Sequence, residues 1–324
     1  MIDFYPEGWL IDTLENRLAM QSASNLAEAY SEKRILEARA MVCDGDHYLI
    51  VDLGCMKGII PREEGAIGIK EGTVRDIAVI SRVNRPVCFI ITGFKKGIDG
   101  RNIALLSRRE AQIICWEQFL RHLNIGDIID AKVTHLEPFG AFADIGCGIV
   151  SLLPIDTISV SRIDHPRERF SVGMDIKVVV KSIDNGRIGL THKELLGTWE
   201  QNAAFFSTGE TVAGIIRSIE SYGAFVELSP NLAGLAEPKE GIRPGQQASV
   251  YIKNIIPSRM KIKLIIIDTF DYDYKASSPQ YFYTGNHMDR FQYSPQSSER
   301  VVESIFSSEA TSVGEDKECE YIYT

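Results

Sequence analysis

Short alternating runs of apolar and polar residues dominate the middle of the chain. The stretches GAFADIG (140–146) and GAFVELS (223–229) alternate in this way, a period typical of strands that bury one face. Each follows a run rich in Ile, Val and Thr and precedes a short apolar run. Two more strand-like runs come next, MDIKVVVKSID and RIGLTH in the first case and QQASVYIKNII and MKIKLIII in the second. The pattern predicts five strands in residues 125–192 and five more in residues 209–268.

These two segments are copies of one module, because matching residues keep one spacing. Gly140 and Gly223 lie 83 residues apart. The same spacing joins Trp116 to Trp199, Gly126 to Gly209 and Leu152 to Leu235. Several matches at one fixed spacing indicate a duplication. A helical linker is predicted ahead of each copy, at residues 108–124 and 193–208.

Five short strands with a longer irregular link before the fourth strand suit a small closed Greek-key barrel of the OB type. Gly140 and Gly223 fall at the bend between the first two strands, where a residue without Cβ lets the chain turn sharply. We therefore predict a mainly β chain of tandem five-stranded OB-type barrels joined by short helices.

A third and less regular copy precedes these two, at residues 35–107. Its stretch DLGCMKGIIP parallels DIGCGIVSLLP of the next module. Residues 74–83 are predicted as its fourth strand, and the apolar runs 86–94 and 101–111 follow. This degenerate copy lacks the aromatic-Gly-Ala-Phe sequence altogether.

The N-terminal segment, residues 1–34, is predicted to form a helix. Leu10, Leu14 and Leu18 recur every four positions, which places them on one helical face. That apolar face either packs on the first barrel or docks a partner.

The C-terminal extension, residues 269–324, is rich in Tyr, Phe, Ser and acidic residues. Its stretch PQYFYTGNHMDRFQYSP predicts a hairpin that turns near Gly285 and Asn286, and RVVESIF predicts a further strand. The last fifteen residues are predicted to be disordered. The aromatic residues either pack on the barrels or stack on nucleic acid, and few basic residues accompany them.

Composition and charge narrow the class of protein. The chain has 324 residues, 44% of them hydrophobic, and a formal net charge of −9. This charge argues against a strongly basic nucleic-acid binder, but local patches and stacking remain open. No signal-peptide pattern and no apolar run of membrane-spanning length is present, so we expect a cytoplasmic protein with no membrane partner. No metal-binding spacing, phosphate loop or nucleophile elbow is present, so we predict neither an enzyme nor a cofactor.

The order of an aromatic-Gly-Ala-Phe turn, a short apolar strand, a Val-rich strand and a basic final strand resembles the S1 RNA-binding domain. The resemblance covers residues 125–192 and 209–268 and implies binding of single-stranded RNA, messenger RNA in particular. With its degenerate first module, the chain is similar to bacterial ribosomal protein S1-like proteins, which help messenger RNA meet the small subunit. Leading modules of that family tend to dock on protein. This implies 30S ribosomal subunit proteins as partners of the N-terminal region.

The resemblance also implies an RNA face made of aromatic and charged residues. The aromatic residues of that face are Phe139, Phe142, Tyr222 and Phe225. Its cations are Lys177, Lys181 and Arg187 in the second module and Lys253, Arg259, Lys261 and Lys263 in the third. Asp184 matches an acidic residue of the family, and Arg187 and Lys261 match its basic final-strand residue. Phe142 and Phe225 have an alternative interpretation as core residues, and the cations have one as a solvated strand face.

Two departures from the family weaken the expected affinity. A histidine is common on the third strand of S1 domains, where this chain has Pro154 and Glu237. Proline cannot stack as an imidazole does, and glutamate repels phosphate. Two other functions therefore stay open beside a ribosomal one. The chain is either an RNA-binding regulator off the ribosome, in RNA turnover or stress, or a protein–protein adaptor that has lost RNA affinity.

Overall fold

The computed structural model describes residues 4–97, 100–184, 186–271 and 278–306. It confirms a mainly β fold of tandem five-stranded barrels. The first barrel contains β1 (Leu36–Cys43), β2 (Leu49–Asp52), β3 (Lys57–Ile60), β4 (Pro86–Lys96) and β5 (Asn102–Ser107). The second contains β6 (Ile128–Glu137), β7 (Gly140–Asp144), β8 (Val150–Pro154), β9 (Asp175–Asp184) and β10 (Arg187–Thr191). The third contains β11 (Thr211–Glu220), β12 (Gly223–Ser229), β13 (Leu232–Ala236), β14 (Gln247–Ile256) and β15 (Lys261–Phe270).

The three barrels differ in how the third and fifth strands meet. In the first and third barrels these strands pair in parallel, with Gly58 and Gly234 at the contact. A Cβ atom on either glycine would lie 2.4–2.6 Å from a leucine of the fifth strand. The second barrel has Ser151 at this place, and its hydroxyl donates to the carbonyl oxygen of Ile188 across the two strands. A side-chain bond thus stands where the other barrels have a parallel ladder.

Short helices connect the barrels. α4 (Arg108–Gln118) follows β5, and Ser107 caps it by accepting a hydrogen bond from the Glu110 backbone at 2.9 Å. Between the second and third barrels, a 3-10 helix at Lys193–Leu196 precedes α5 (Trp199–Ala203). The helix of this second linker is therefore shorter than the predicted range 193–208.

The hydrophobic core of the second barrel extends to one strand of the first barrel. Cys88 and Ile90 of β4 belong to the same buried cluster as the interior of the second barrel. Glu7 and Arg108 form a buried ion pair at 2.6 Å in this junction. Asp144 accepts a hydrogen bond from the Glu7 backbone at 2.8 Å. Burial and the charge of Glu7 raise the pKa of Asp144 to about 7.

The second and third barrels meet through a second buried charge network. Arg169 and Arg217 contact the Glu227 carboxylate at 2.5 Å and 2.7 Å, and Arg217 also pairs with Glu168. The Asn231 amide donates to two carbonyl oxygens of the linker. Buried charges that pair across the two barrels fix the orientation of those barrels.

The single N-terminal helix predicted from the sequence is wrong. The segment forms α1 (Leu14–Met20) and α2 (Ala23–Ser31), because Ser22 caps the second helix and interrupts the first. Leu14 is 72% exposed and Leu18 is 46% exposed, so the predicted apolar face is not the packed one.

A polar residue decides which face of this segment is buried. Asn16 donates to the Glu37 carbonyl at 2.7 Å and accepts from the Glu37 backbone at 2.9 Å. These bonds turn the opposite face inward, and Ala19, Leu26 and Ala29 join the core of the first barrel. The segment therefore packs on the first barrel through small residues.

The predicted fourth strand at residues 74–83 is also wrong. This segment contains the short helix α3 (Ile77–Ile80), and the fourth strand is β4. The run VCFII, residues 87–91, is fully buried and pairs with β1, so it displaces the earlier run from the sheet. Asp76, just before α3, pairs with Arg62 at 2.7 Å and holds the turn outside the barrel.

The C-terminal extension packs on both later barrels, but its hairpin differs from the predicted one. β16 (Arg290–Gln292) pairs with β17 (Glu303–Ile305) across a long connection, with no turn at Gly285 and Asn286. Residues 281–288 instead lie along the second barrel, where Asn286 accepts a hydrogen bond from the Ile128 backbone. The fifteen residues predicted to be disordered lie outside the described residues.

Candidate nucleic-acid interface

The repeated glycine is required by a close approach between strands. Gly140 lies opposite Pro154, and a Cβ atom on it would be 2.5 Å from the Leu153 carbonyl oxygen. A Cβ atom on Gly223 would be 2.3 Å from the Ala236 carbonyl oxygen. Both distances are too short for a side chain, so only glycine lets this turn lie against the third strand.

The Ala-Phe sequence after each glycine divides its side chains between the core and the surface. Ala141 and Ala143 point into the second barrel and are fully buried. Phe142, between them, is half-buried on the outer face. In the third barrel Ala224 points inward and Phe225 outward in the same way. The alternative interpretation of these phenylalanines as core residues is therefore wrong.

Each outward phenylalanine pairs with an exposed aromatic ring from the preceding turn. The rings of Phe139 and Phe142 are 6.0 Å apart and perpendicular, at 90°. Those of Tyr222 and Phe225 are 6.3 Å apart at 88°. Phe139 is 57% exposed and Tyr222 is 53% exposed. Each pair thus presents one open ring face to solvent, a surface on which a nucleobase can stack.

In the third barrel a row of paired residues joins the aromatic pair to a lysine. Phe225 lies opposite Leu235 on β13, and Leu235 lies opposite Lys263 on β15. Directly paired residues share one face of a sheet, so these three side chains form an outward row. The matching row of the second barrel runs from Phe142 to Leu152. When Arg187 is aligned with Lys261, Gly189 falls at the place of Lys263. The row of the second barrel therefore has no equivalent positive charge at this place.

Three of the predicted cations are bound to carboxylates of the chain itself. Lys177 pairs with Asp130 at 2.9 Å, and its backbone N–H donates to the Tyr281 hydroxyl of the C-terminal extension. Lys253 pairs with Glu237 at 3.0 Å. The guanidinium of Arg259 lies 3.9 Å from the carboxylate of Glu299. These pairs reduce the charge that each cation offers to a phosphate.

The other four predicted cations are Lys181, Arg187, Lys261 and Lys263. All four are exposed, and none forms an ion pair within the described part of the chain. Asp184 lies opposite Arg187 at the hairpin between β9 and β10. The cations available to a ligand are therefore concentrated at the starts of the last strands, β10 and β15, and near the end of β9.

Comparison with known proteins shows what the chain is similar to. Residues 122–193 match the S1 RNA binding domain. The chain is 32% identical over 265 residues to the small ribosomal subunit protein bS1 of Staphylococcus aureus strain COL. The chain is therefore similar to bacterial ribosomal protein S1 over 76% of its length. That match covers 76% of this chain and 64% of the relative, so the chain spans slightly less than two thirds of the relative's length.

One further curated relative and one solved structure are also similar to the chain. The small ribosomal subunit protein bS1 homolog of Bacillus subtilis strain 168 is 29% identical over 259 residues, covering 74% of this chain and 64% of its own. A crystal structure of a multidomain protein with nucleic acid binding domains from Streptococcus pneumoniae covers 72% of this chain and 73% of its own, at 13% identity. Its TM-score of 0.25 is too low to bear on how the barrels are arranged.

The two residues that depart from the S1 family pattern, Pro154 and Glu237, each have a structural role within the chain. Pro154 begins a 3-10 helix at Ile155–Thr157, as Pro61 does at Arg62–Glu64 in the first barrel. Ile155 then donates to the carbonyl oxygen of Phe139 at 3.0 Å, which fixes the aromatic turn. Glu237 is the partner of Lys253. The proline thus supports the aromatic turn, whereas the glutamate neutralises the charge of Lys253 at the surface.

One residue of this S1-like surface escaped the sequence analysis. His135 lies opposite Phe142 on β6, with its ring 6.3 Å from the phenylalanine ring. Its Nε2 is 2.6 Å from the Glu137 carboxylate. The period-two pattern of β6 was the available signal, since it places His135 and Glu137 on the outer face. Ser218 takes this place in the third barrel.

Three further findings concern the described residues only. Among them, no helix is long and apolar enough to cross a bilayer. No group of three or more His, Cys, Asp or Glu side chains within these ranges has an arrangement that would hold a metal ion. Five cysteines are free thiols, and the sixth, Cys319, lies outside the described ranges.

Proposed function

We propose that the chain binds single-stranded RNA without catalysis, through the outer faces of its second and third barrels. The observation that carries this proposal is the duplicated perpendicular ring pair on those faces. Stacking of a base on an aromatic ring contributes about 1–3 kcal/mol and accepts any base. The row that ends at Lys263 adds a cation for the phosphate backbone in the third barrel.

Each barrel alone binds weakly under this proposal. Only four of the seven proposed cations are free of ion pairs in the described residues, and the net charge is −9. Two barrels held in fixed orientation bind one strand together, and such linkage raises affinity by about 10²–10⁴. Because phosphate contacts release counterions, the affinity falls as salt rises.

The biological setting is part of the same proposal. Relatives named small ribosomal subunit protein bS1 suggest a cytoplasmic role in translation, in which the chain brings messenger RNA to the 30S subunit. The N-terminal region and the first barrel would contact 30S ribosomal proteins. Cosedimentation with 30S subunits from a cell extract distinguishes this role from that of an RNA regulator off the ribosome, which would stay in the supernatant.

The test is fluorescence anisotropy of a labelled U-rich single-stranded RNA with the full chain at low and moderate salt. The variant carries Phe139→Ala, Phe142→Ala, Tyr222→Ala and Phe225→Ala together. The matched control carries Tyr30→Ala and Phe94→Ala together. These two rings form an exposed pair between α2 and the first barrel, with centroids 5.9 Å apart and planes at 79°. We expect salt-sensitive binding by the wild type and the control and loss of binding by the folded variant. Equal binding by all three contradicts the proposed site.

A second candidate function is a protein–protein adaptor built from S1 barrels. The pairs Lys253–Glu237 and Arg259–Glu299 favour it, because they remove two cations from the proposed RNA face of the third barrel. If the wild-type chain binds no RNA even at low salt, the adaptor function replaces the first proposal.

A further inference from the structure

A cleft of about 320 Å³ lies between the third barrel and the C-terminal hairpin formed by β16 and β17. The barrel contributes Tyr222, Phe225 and Leu235 to its walls. The hairpin side contributes Phe291 and Val302. We call this space the hairpin cleft. The aromatic pair of the third barrel lies in one wall of this cleft, whereas neither Phe139 nor Phe142 is among its described lining residues.

The hairpin wall of this cleft is firmly attached. Phe291 and Val302 pack against the core of the third barrel. The Tyr293 hydroxyl donates to the Asn231 carbonyl at 2.7 Å in a buried position, and the Tyr293 carbonyl accepts from Trp199 at 3.0 Å. A wall held by these bonds is in place before a ligand arrives, which lowers the ordering cost of binding.

The shape of the cleft suits a small planar ligand. Tyr222 and Phe225 are perpendicular, so they offer a ring face and a ring edge to the same space. Phe291 and Val302 supply an apolar surface on the hairpin side. Small-molecule pockets measure about 300–1,000 Å³, so this cleft has room for one nucleobase with its sugar and not for a longer segment.

The charges around the cleft favour an anion. The cationic side chains that line it are Lys193, Lys261 and Arg300. Of the acidic lining residues, Glu194 is buried and accepts hydrogen bonds from two hydroxyl groups, and Glu303 is paired with Arg290 at 2.5 Å. Asp156 is the remaining carboxylate. Because Glu194 and Glu303 are bonded within the chain, the two lining lysines outnumber Asp156, and such a surface suits a phosphate backbone.

We propose that the hairpin cleft holds one unpaired nucleobase of single-stranded RNA between the aromatic pair and the C-terminal hairpin. This inference rests on the proposed function and deepens it. The second barrel offers its ring pair to stack a base in the open. In the third barrel, the C-terminal hairpin adds a second wall to the same ring pair, with Lys261 beside the adjoining phosphates.

The experiment fills the cleft without touching the ring pair. Val302→Trp places an indole in the cleft, and Val301→Trp places the same group on the neighbouring residue, which is 61% exposed and is not among the lining residues. Phe291→Ala opens the wall instead and is the second variant. Each full-length variant is titrated against labelled oligouridine of about 12 nucleotides, within the range that one or two OB folds occupy. Circular dichroism melts identify any variant that does not fold.

We expect Val302→Trp and Phe291→Ala to weaken RNA binding by about fivefold or more, the lower end of what one stacked base contributes. Val301→Trp is expected to bind as the wild type does. If both cleft variants bind normally while Tyr222→Ala weakens binding, RNA stacks on the open ring and the hairpin cleft is not a base site. If the wild type binds no RNA, the proposed function and this inference both fail.

Discussion

The first and third barrels share one topology and differ in the chemistry of a single outward row. In the third barrel the row consists of Phe225, Leu235 and Lys263. In the first barrel, pairing places Ile50 opposite Ile59 and Ile59 opposite Leu105. One row offers a stacking ring and a cation, and the other offers three aliphatic side chains. Under the proposed function, barrel topology alone is therefore not expected to make an RNA face.

The barrels also differ at the residue that closes each repeat. The stretches LSRRE and LTHKE place Arg108 after the first barrel and His192 after the second. Arg108 is buried as a charge, paired with Glu7. His192 is buried beside the ring of Phe170, and burial lowers its pKa to about 4, so it is neutral at pH 7. The same position thus holds an ion-paired charge at the first junction and an uncharged ring packed on the second barrel.

Breaking the first junction is expected to have the largest effect. Arg108→Ala leaves the Glu7 carboxylate buried without its closest partner, and removal of one member of a buried pair costs about 3–5 kcal/mol. The free energy of unfolding, measured by chemical denaturation, is expected to fall by this amount. The neighbouring Arg109 pairs with the half-exposed Glu71 at 3.1 Å, and Arg109→Ala is expected to cost about 1 kcal/mol or less. Equal losses for the two variants would show that the buried pair does not anchor the first barrel.

The second barrel is expected to lose stability in acid. His192 has a lower pKa in the folded chain than its ordinary value near 6.5, so the unfolded chain takes up the proton first as pH falls. Its contribution is complete above pH 6.5 and is lost toward pH 4, to a maximum of about 3 kcal/mol. We expect His192→Gln to flatten the pH dependence of unfolding across this window.

The control for this pH dependence is the exposed His287. The hydrogen bond with Asp127 raises the pKa of His287, so its contribution is present at low pH and is lost as pH rises. His287→Gln is therefore expected to change the pH profile in the opposite direction. A profile that His192→Gln leaves unchanged would assign the acid sensitivity to other groups.

Giving the third barrel the aliphatic row of the first barrel tests whether the row of Phe225, Leu235 and Lys263 contacts RNA. Phe225→Ile with Lys263→Leu gives the third barrel an aliphatic row. We expect RNA affinity to fall by about 5–150-fold, the equivalent of one stacked base. The slope of log affinity against log salt is expected to shrink by about 0.7, one phosphate contact on a single strand. Unchanged affinity in a folded variant would mean that the row is not the RNA face.

The smallest expected effect comes from releasing a paired cation. Glu237→Gln frees Lys253 and removes a negative charge beside the third barrel's face. We expect RNA to bind more tightly, by about fivefold at most, since exposed pairs are worth about 1 kcal/mol or less. Glu240→Gln, an exposed change three residues away, removes the same charge from a residue that forms no ion pair within the described part of the chain. Equal gains in both variants would indicate a general charge effect.

The sequence was sufficient for the strands of the second and third barrels and for the two ring pairs. Period-two alternation depends on which face of a strand is buried, and Ala141 and Ala143 point inward as that alternation requires. Duplication at one spacing then carried the prediction from Phe139 to Tyr222. Both predictions rest on the sequence of the module itself, so neither needs knowledge of contacts between distant segments.

Features that depend on contacts between distant segments were not predictable. Leu14 and Leu18 have helical spacing, yet the bonds from Asn16 to Glu37 turn another face inward. β16 pairs with β17 because both lie on the third barrel, which no turn sequence indicates. The pairing of Lys253 with Glu237 likewise joins residues on separate parts of the fold.

Cross-linking of wild-type chain to RNA that contains 4-thiouridine, followed by peptide mapping, tests the central claim most directly. The account predicts cross-links at the two aromatic turns, Phe139–Phe142 and Tyr222–Phe225, and none at the aliphatic row that begins at Ile50. Cross-links confined to the first barrel, or absent from both turns, would contradict it.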